Sequence, residues 1–310
     1  MHHALRRVLL AAALVSPWCG AAAATKIKIA CTATSDCASA MIATYDGVFA
    51  KHGLDAEMTL IGINTNIPPA IASDSIQIGG PTSTVFLQAV DGGLDLVAIS
   101  GASVMDPATA GLIAAVQKPG LTMSKPADFV GRKVGVPGIG AFLDVLFRKW
   151  LTEGGVDPAK VNYVEVTFPT QNDALKSGAV DAVLTAEPFT SRIVAANNGS
   201  VAAHYAAELH RTDPIIEYVA TRAWAEKNPE AVKAFREAIA ETAKIVNADH
   251  AKAAEAQARF TKMNVDLLKK NPPSVAKPEL KADDFSWWID VMKQQGMLQG
   301  QIDKAKLVLP

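Results

Sequence analysis

The feature that most constrains the fold is a series of short apolar strands and amphipathic helices that occurs twice along the chain. Equivalent positions in the two series are equally spaced, because Ile29 lies 49 positions before Ile78 and Val134 lies 49 positions before Val183. Alternating strands and helices favour mainly parallel sheets, so the repeat predicts two similar α/β lobes. The first series has predicted strands at residues 26–30, 57–61, 75–78 and 95–100, and the second runs from residue 133 to residue 205.

The stretch from Lys133 to Leu151 predicts a strand, a tight loop containing Gly138 and Gly140, and a helix. In a parallel sheet such a loop lies at the carboxyl end of a strand, where the first amides of the helix can hold a small anionic ligand. The alternative is that the two glycines only make a tight turn. Leu143 stands where the dinucleotide fingerprint requires a third glycine, and no Gly-Lys-Ser/Thr follows, so neither a nicotinamide cofactor nor ATP is expected.

The first 24 residues have the pattern of a secretory signal peptide. Two arginines precede an apolar run, and the small residues Ala21–Ala24 form the expected cleavage site, so cleavage is predicted after Ala24. Nothing after residue 25 is long and apolar enough to span a membrane. The expected location is therefore the periplasm.

Charge and length narrow the function further. The chain has 30 basic and 31 acidic residues, and removal of residues 1–24 takes away two arginines, which leaves a formal net charge of about −3. Nucleic acid is therefore not expected as a partner. The remaining chain is long enough for two domains of ordinary size.

Two cysteines, Cys31 and Cys37, remain after the predicted cleavage, because Cys19 leaves with the signal peptide. In an oxidising compartment such a pair can close a small disulfide ring at the end of the first strand. The alternatives are two free thiols or one reactive cysteine, although no histidine lies nearby in the sequence to act as a base.

The sequence carries no pattern typical of a metal site or of an enzyme nucleophile. The histidines are scattered, and no Gly-x-Ser-x-Gly motif is present, so neither a metal nor a cofactor is expected. Instead, loops of Gly, Pro, Ser and Thr follow successive predicted strands. Each loop alone is explained by helix capping, but their recurrence favours a small ligand held by hydrogen bonds in a cleft. The loops are Thr32–Ser35, Gly80–Ser83, Gly101–Ser103 and Gly138–Ala141.

Five motifs follow one another along the chain: the predicted first strand, Gly-x-Phe-x-Lys-x-Gly-Leu-Asp at 47–55, Ile76–Gly80, Asp128–Pro137 and Ala174–Ala182. In this order they resemble the substrate-binding proteins of ABC importers, and more narrowly their nitrate/sulfonate/taurine and thiamine-pyrimidine group. The resemblance spans essentially the whole chain after the predicted signal peptide.

The resemblance implies a two-lobe periplasmic-binding fold of type II, with a mainly parallel sheet flanked by helices in each lobe. Lobe I is expected at 25–118 and 212–310, including the C-terminal helices, and lobe II at 119–211. Hinge crossings are predicted at 111–117 and 206–213. Such a protein acts as a monomer, binds a small organic anion or zwitterion (sulfonate-, taurine-, nitrate- or pyrimidine-like) and delivers it to an ABC permease in the inner membrane.

The ligand loops of the family can be carried onto this sequence residue by residue. Glu187 departs from what a sulfonate or nitrate site requires: facing the cleft, it would repel such an anion and favour a ligand with an amine or ring N–H. If its side chain instead faces solvent or the permease, Glu187 indicates nothing about the ligand. The expected ligand-binding residues are Thr34, Ser35, Gly80, Pro81, Thr82, Ser83, Ser103, Gly138, Ile139, Gly140, Ala141, Glu187 and Phe189.

Two other functions stay open from the sequence. One is an enzyme on the same scaffold that acts on a pyrimidine precursor, although the cysteine-rich cluster typical of the pyrimidine-synthesising relatives is absent. The other is a ligand-sensing module that docks on a separate receptor. The favoured prediction is a binding protein and not an enzyme.

Overall fold

The computed structural model describes residues 24–310. The predicted signal peptide therefore lies outside the described residues, except for Ala24. No helix in the described part of the chain combines the length and apolar character needed to cross a membrane.

Eleven strands among the described residues form two separate sheets. The first sheet has the order β11-β4-β10-β3-β1-β2 and the second has the order β7-β6-β8-β5-β9. The strands are β1 (Thr25–Cys31), β2 (Leu54–Leu60), β3 (Ile78–Gly79), β4 (Leu96–Val104), β5 (Ile113–Gln117), β6 (Lys133–Val136), β7 (Asn162–Glu165), β8 (Ala182–Ala186), β9 (Ser200–Ala203), β10 (Pro214–Thr221) and β11 (Val275–Ala276).

Helices flank both sheets, and the longest of them follow the return of the chain to the first sheet. They are α1 (Ala38–Tyr45), α2 (Val48–Lys51), α3 (Ile67–Ala72), α4 (Ser83–Asp91), α5 (Phe142–Glu153), α6 (Gln171–Lys176), α7 (Phe189–Ala195), α8 (Tyr205–Glu208), α9 (Arg222–Lys227), α10 (Pro229–Ala248), α11 (His250–Thr261), α12 (Val265–Leu268) and α13 (Ser286–Gln294).

The predicted repeat is present in the pairing of the strands. In the first sheet β1 lies between β2 and β3 and is parallel to both, with Ile29 opposite Ile78. In the second sheet β6 lies between β7 and β8 in the same way. Val134 lies opposite Ala182 and not Val183, so the paired residues in the second sheet are one position closer along the chain than Ile29 and Ile78 are in the first.

The sheets are mixed, which corrects the expectation of mainly parallel pairing. Strand β10 is antiparallel to β3 and β4, and β5 is antiparallel to β8 and β9. These are the first strands after the chain passes from one lobe to the other. Each enters its new sheet between strands that run the opposite way, so the βαβ rule for parallel pairing does not apply to it.

Sheet membership differs from the predicted first crossing. The segment 111–117 is not a connection between the sheets, because Ile113–Gln117 is strand β5, buried along its whole length inside the second sheet. The chain passes from the first sheet to the second between Val104 and Ile113. The second crossing, between Ala203 and Pro214, contains α8 and includes the predicted 206–213.

Two helical stretches are interrupted. Helix α1 ends at Tyr45 and α2 begins at Val48, because Gly47 between them has a φ of 74°. Helix α11 ends at Thr261, and Asn264 starts α12 by accepting hydrogen bonds from the amides of Asp266 and Leu267. The segment after α12 then returns to the first sheet as β11, which pairs with β4.

The hydrophobic core is continuous across the two lobes. Ile29 of the first sheet and Val134 of the second are both fully buried in it. Phe142 at the start of α5 packs against Trp288 of α13, with ring centroids 5.5 Å apart. Trp288 is itself fixed, because its Nε1 donates a 2.8 Å hydrogen bond to the carbonyl of Pro214.

Candidate functional site: a cleft between the two sheets

A cleft of about 1070 Å³, including its open mouth, lies between the two lobes. Most of its polar and aromatic lining comes from the carboxyl ends of β1, β2, β3, β6, β7 and β8. This is expected, because β1–β3 are parallel to one another, as are β6–β8, and the carboxyl ends of parallel strands lie at one edge of a sheet. The crossing before β5 and the C-terminal segment complete it. Lining residues from the two lobes include Thr34, Asp36, Asn64, Phe142, Phe168 and Glu187.

In the first lobe, the loop after β1 is organised around Asp36. The hydroxyl of Thr34 donates to Asp36 Oδ2 at 2.6 Å, and the hydroxyl of Ser103 donates to Asp36 Oδ1 at 3.0 Å. Thr34 lines the cleft, whereas Ser103 is buried behind it. Both hydroxyls, expected as ligand donors, therefore give their protons to a carboxylate of the protein.

Ser35 lines the cleft and connects the first lobe to the C-terminal segment. The amide of Ser274 donates to Ser35 Oγ at 2.9 Å, and the two hydroxyl oxygens lie 3.2 Å apart. Ser274 directly precedes β11, so this contact places the segment 271–274 along the cleft wall.

Of the predicted loop Gly80–Ser83, only Thr82 lines the cleft. The amide of Thr82 donates to Asn64 Oδ1 at 2.8 Å. Gly80 and Pro81 are buried and do not line the cleft. At Gly80, a Cβ would come within 2.7 Å of Cys37 Sγ, so glycine is required beside the Cys31–Cys37 disulfide that the structure contains.

Ser83 points away from the cleft into the core of the first lobe. Its hydroxyl lies 2.7 Å from Glu217 Oε2 and 3.1 Å from the carbonyl of Pro214. Glu217 is fully buried, and its second oxygen, Oε1, has no hydrogen-bond partner among the described residues. Burial raises the pKa of the Glu217 carboxyl well above its usual range, and the Ser83 hydroxyl opposes that rise.

In the second lobe, the amides of the predicted glycine loop are used within the protein. Ile139 N donates to Glu165 Oε1 at 3.1 Å, and Gly140 N donates to Asp144 Oδ2 at 2.8 Å. Ala141 N donates to the carbonyl of Gly138. Of this loop, only Ala141 lines the cleft; Ile139 is exposed.

The carboxylate that receives the Gly140 amide belongs to a buried ion pair. Asp144 is fully buried and accepts a 2.8 Å hydrogen bond from Arg148 Nε. Burial raises the pKa of Asp144, and the nearby Arg148 guanidinium and the Gly140 amide oppose that rise. The loop is therefore held by an internal carboxylate in the place where an anionic ligand was expected.

Glu187 lines the cleft, which resolves the alternative left by the sequence. Its Oε1 accepts from the hydroxyl of Ser191 at 2.9 Å, and its Oε2 accepts from Asn271 Nδ2 at 3.1 Å. Phe189, two residues later, is buried and does not line the cleft. Phe189 stacks on Phe168, which lines the cleft, and their ring centroids lie 5.2 Å apart.

Sequence reasoning missed several parts of the cleft. Asp36 directly follows the predicted pair Thr34 and Ser35 and could have been found from that position. Asn64 lies in an irregular segment after β2 and carried no signal. Pro272 and Pro273 carried no signal of a site either, and they belong to the segment that lines the cleft. Within residues 24–310, no group of three or more His, Cys, Asp or Glu residues is arranged to hold a metal ion.

Residues 83–260 match the model of the NMT1-like family. Two sequence relatives are binding proteins. The nitrate/nitrite binding protein NrtA of Synechococcus elongatus is 27% identical over 282 residues, which covers 76% of this chain and 59% of the relative. The taurine-binding periplasmic protein of Escherichia coli is 27% identical over 198 residues, which covers 63% of this chain and 59% of the relative. The chain thus spans about 59% of the length of these curated relatives.

Among solved structures, the alkanesulfonate-binding protein SsuA from Xanthomonas axonopodis pv. citri, bound to MOPS, is similar with a TM-score of 0.78. The two chains are 16% identical, and the superposition covers 93% of this chain and 99% of that one. The two-lobe α/β fold predicted from the sequence is therefore confirmed. Because the matched family model covers more than half of its residues, this chain belongs to the NMT1-like family.

Proposed function

We propose that this protein is the solute-binding component of an ABC uptake transporter, which captures a small organic solute between its lobes in the periplasm and delivers it, as a monomer, to a permease in the inner membrane. The observation that carries the proposal is the cleft whose walls come from both lobes. Clefts at domain interfaces, lined by apolar side chains and a few polar groups, are common sites for small ligands. The binding proteins among the relatives support the same role.

Side-chain hydrogen bonds join the lobes, in addition to the apolar contact between Phe142 and Trp288. Among the described residues, three side chains outside lobe II donate to it: Asn271 to Glu187, Gln88 Nε2 to the Gly140 carbonyl at 3.0 Å, and Gln295 Nε2 to the Val145 carbonyl at 3.0 Å. Each such hydrogen bond contributes a net ~1 kcal/mol. A ligand that contacts both walls binds the closed arrangement more tightly than the open one, and it shifts the equilibrium between them by that difference in affinity.

The test is a thermal-shift screen of the chain without its predicted signal peptide, residues 25–310. The panel contains taurine, alkanesulfonates, nitrate, carboxylates, pyrimidines and organic amines. A ligand at about a hundred times its dissociation constant stabilises the folded state by ~2.7 kcal/mol. X-ray scattering with a ligand from the panel is expected to show a smaller radius of gyration, as closure predicts.

Mass spectrometry of the same mixture separates binding from catalysis. A binding protein returns its ligand chemically unchanged after long incubation. Conversion of the ligand would contradict the proposal and favour an enzyme on the same fold. The absence of any stabilising compound in the panel would count against the proposal as well.

A further inference from the structure

We propose that the cleft recognises a small organic ligand through a positively charged or N–H-donating group, such as an amine or amidinium, bound at Asp36, and that it disfavours a simple oxyanion. This inference rests on the proposed function, since it names the ligand class for the same cleft. Four features of the described residues support it: the state of the hydrogen-bond donors, the orientation of Asp36, the charge of the lining and the aromatic walls.

First, several donors in and beside the cleft are already occupied within the protein. The hydroxyls of Thr34 and Ser103 donate to Asp36, and the amides of Ile139 and Gly140 donate to Glu165 and Asp144. The Thr82 amide donates to Asn64. These five groups therefore do not offer their protons to an oxyanion.

Second, Asp36 is prepared as an acceptor. Each of its oxygens receives one hydroxyl, and a carboxylate oxygen has capacity for a further hydrogen bond. The two hydroxyls fix the orientation of the carboxylate. A fixed, negatively charged acceptor in a cleft is complementary to an ammonium or amidinium group.

Third, the charge of the whole lining has the same sign. Asp106 and Glu187 line the cleft with Asp36, and within residues 24–310 no lysine or arginine lines it; His250 lies at the exposed edge. A cleft lined by one sign of charge concentrates ligands of the opposite sign and repels ligands of the same sign. The Coulomb interaction therefore works against nitrate, sulfonate and simple carboxylates.

The walls suggest the shape of the rest of the ligand. Phe142 is held against Trp288, and Phe168 is stacked on Phe189, so both lining rings are fixed from behind. Fixed aromatic faces suit a flat or apolar body and can also contact a cation. An aromatic amidine or an amino-substituted ring combines both features.

Calorimetric titration with benzamidine and benzoate tests the inference, because the two probes share a ring and differ in the charge of the head group. We expect benzamidine to bind at least tenfold more tightly than benzoate. Tighter binding of benzoate, or of benzenesulfonate, would overturn the inference and leave the proposed function standing. Failure of both head-group classes to bind would also overturn it, while the thermal-shift panel decides the proposed function separately.

Variants locate the interaction. Asp36→Asn is expected to weaken benzamidine binding at least tenfold, since hydrogen bonds to charged groups are the strong ones. Asp55→Asn, on the exposed face of β2, removes the same charge outside the cleft and is expected to have no effect. If Asp36→Asn does not fold, Glu187→Gln must weaken the binding of benzamidine and not that of benzoate. Unchanged benzamidine affinity in a folded Asp36→Asn protein would refute the assignment.

Discussion

Asn271 donates from Nδ2 to Oε2 of Glu187 across 3.1 Å, and so joins the C-terminal segment to the strand-end loop of the second lobe. The same segment is joined to the first lobe three residues later, where the Ser274 amide donates to Ser35 Oγ. One short stretch thus spans the cleft and contacts both walls. Ser274 makes two contacts with Ser35 of the first lobe, whereas the described hydrogen bond from this stretch to the second lobe is the one from Asn271 to Glu187.

Removal of the Asn271 side chain is expected to loosen this segment without unfolding the protein. Asn271→Ala deletes one hydrogen bond, worth ~1 kcal/mol, so amide exchange in residues 268–275 is expected to rise about fivefold. Hydrogen exchange followed by mass spectrometry measures this locally. Lys270→Ala, an exposed neighbour, serves as the control. Equal exchange in both variants would show that the Asn271–Glu187 contact does not hold the segment.

Glu217 is expected to make stability depend on pH. The unfolded chain releases this proton near pH 4.3, whereas the buried carboxyl keeps it, because its pKa is raised. Between those pKa values the folded state binds more protons than the unfolded state, so stability falls as pH rises. Glu217→Gln removes this titrating group. As the pH rises from 5 to 7, the free energy of unfolding of Glu217→Gln is therefore expected to rise by at least ~1 kcal/mol relative to that of the wild type.

Urea denaturation at pH 5, 6 and 7 measures the effect of Glu217→Gln. Glu57→Gln on the exposed surface of β2 is the matched control and should follow the wild type. Parallel pH dependence of the wild type and Glu217→Gln would mean that Glu217 is ionised in the folded protein.

Gly140 is expected to contribute to the stability of the folded protein, because any side chain at this position would be strained. Its φ is +77°, where a side chain costs ~1–2 kcal/mol, and a Cβ would lie 2.5 Å from Gln88 Nε2. Gly140→Ala should therefore lower the free energy of unfolding by ~1–2 kcal/mol and displace Gln88. Gly111→Ala is the control, since a Cβ there meets nothing within 4 Å. A Gly140→Ala protein as stable as Gly111→Ala would contradict the strained conformation.

The Cys31–Cys37 disulfide is expected to stabilise the loop that carries Asp36. Residues 25–310 contain no other cysteine, so the oxidised protein should react with no thiol reagent under denaturing conditions. Replacing both cysteines by serine is expected to cost ~2 kcal/mol, the low end of the usual range because the closed loop is short. Recovery of two free thiols from protein purified without reductant would contradict the bond.

Much of the fold followed from local patterns. The strand predicted at the start of the stretch Lys133–Leu151 is β6, and the spacing of Ile29 and Ile78 matched a pair that is in register. Such features follow from the alternation of apolar and polar residues and from glycine and proline positions, which act over a few residues. The antiparallel course of β5 and β10 was not predicted, because a strand has the same residue pattern whichever way its neighbours run.

At the site, too, some features followed from local residue patterns and others only from the folded structure. The residue pattern around Thr34, Thr82 and Ala141 placed polar loops at the carboxyl ends of strands, and those residues do line the cleft. The residue pattern could not predict the direction of each hydrogen bond. Whether the amide of Gly140 faces a ligand or the carboxylate of Asp144, and whether Thr34 donates outward or to Asp36, depends on which groups the folded chain brings within 3 Å. Local composition therefore located the cleft, and long-range packing set the charge and hydrogen-bonding character that it presents.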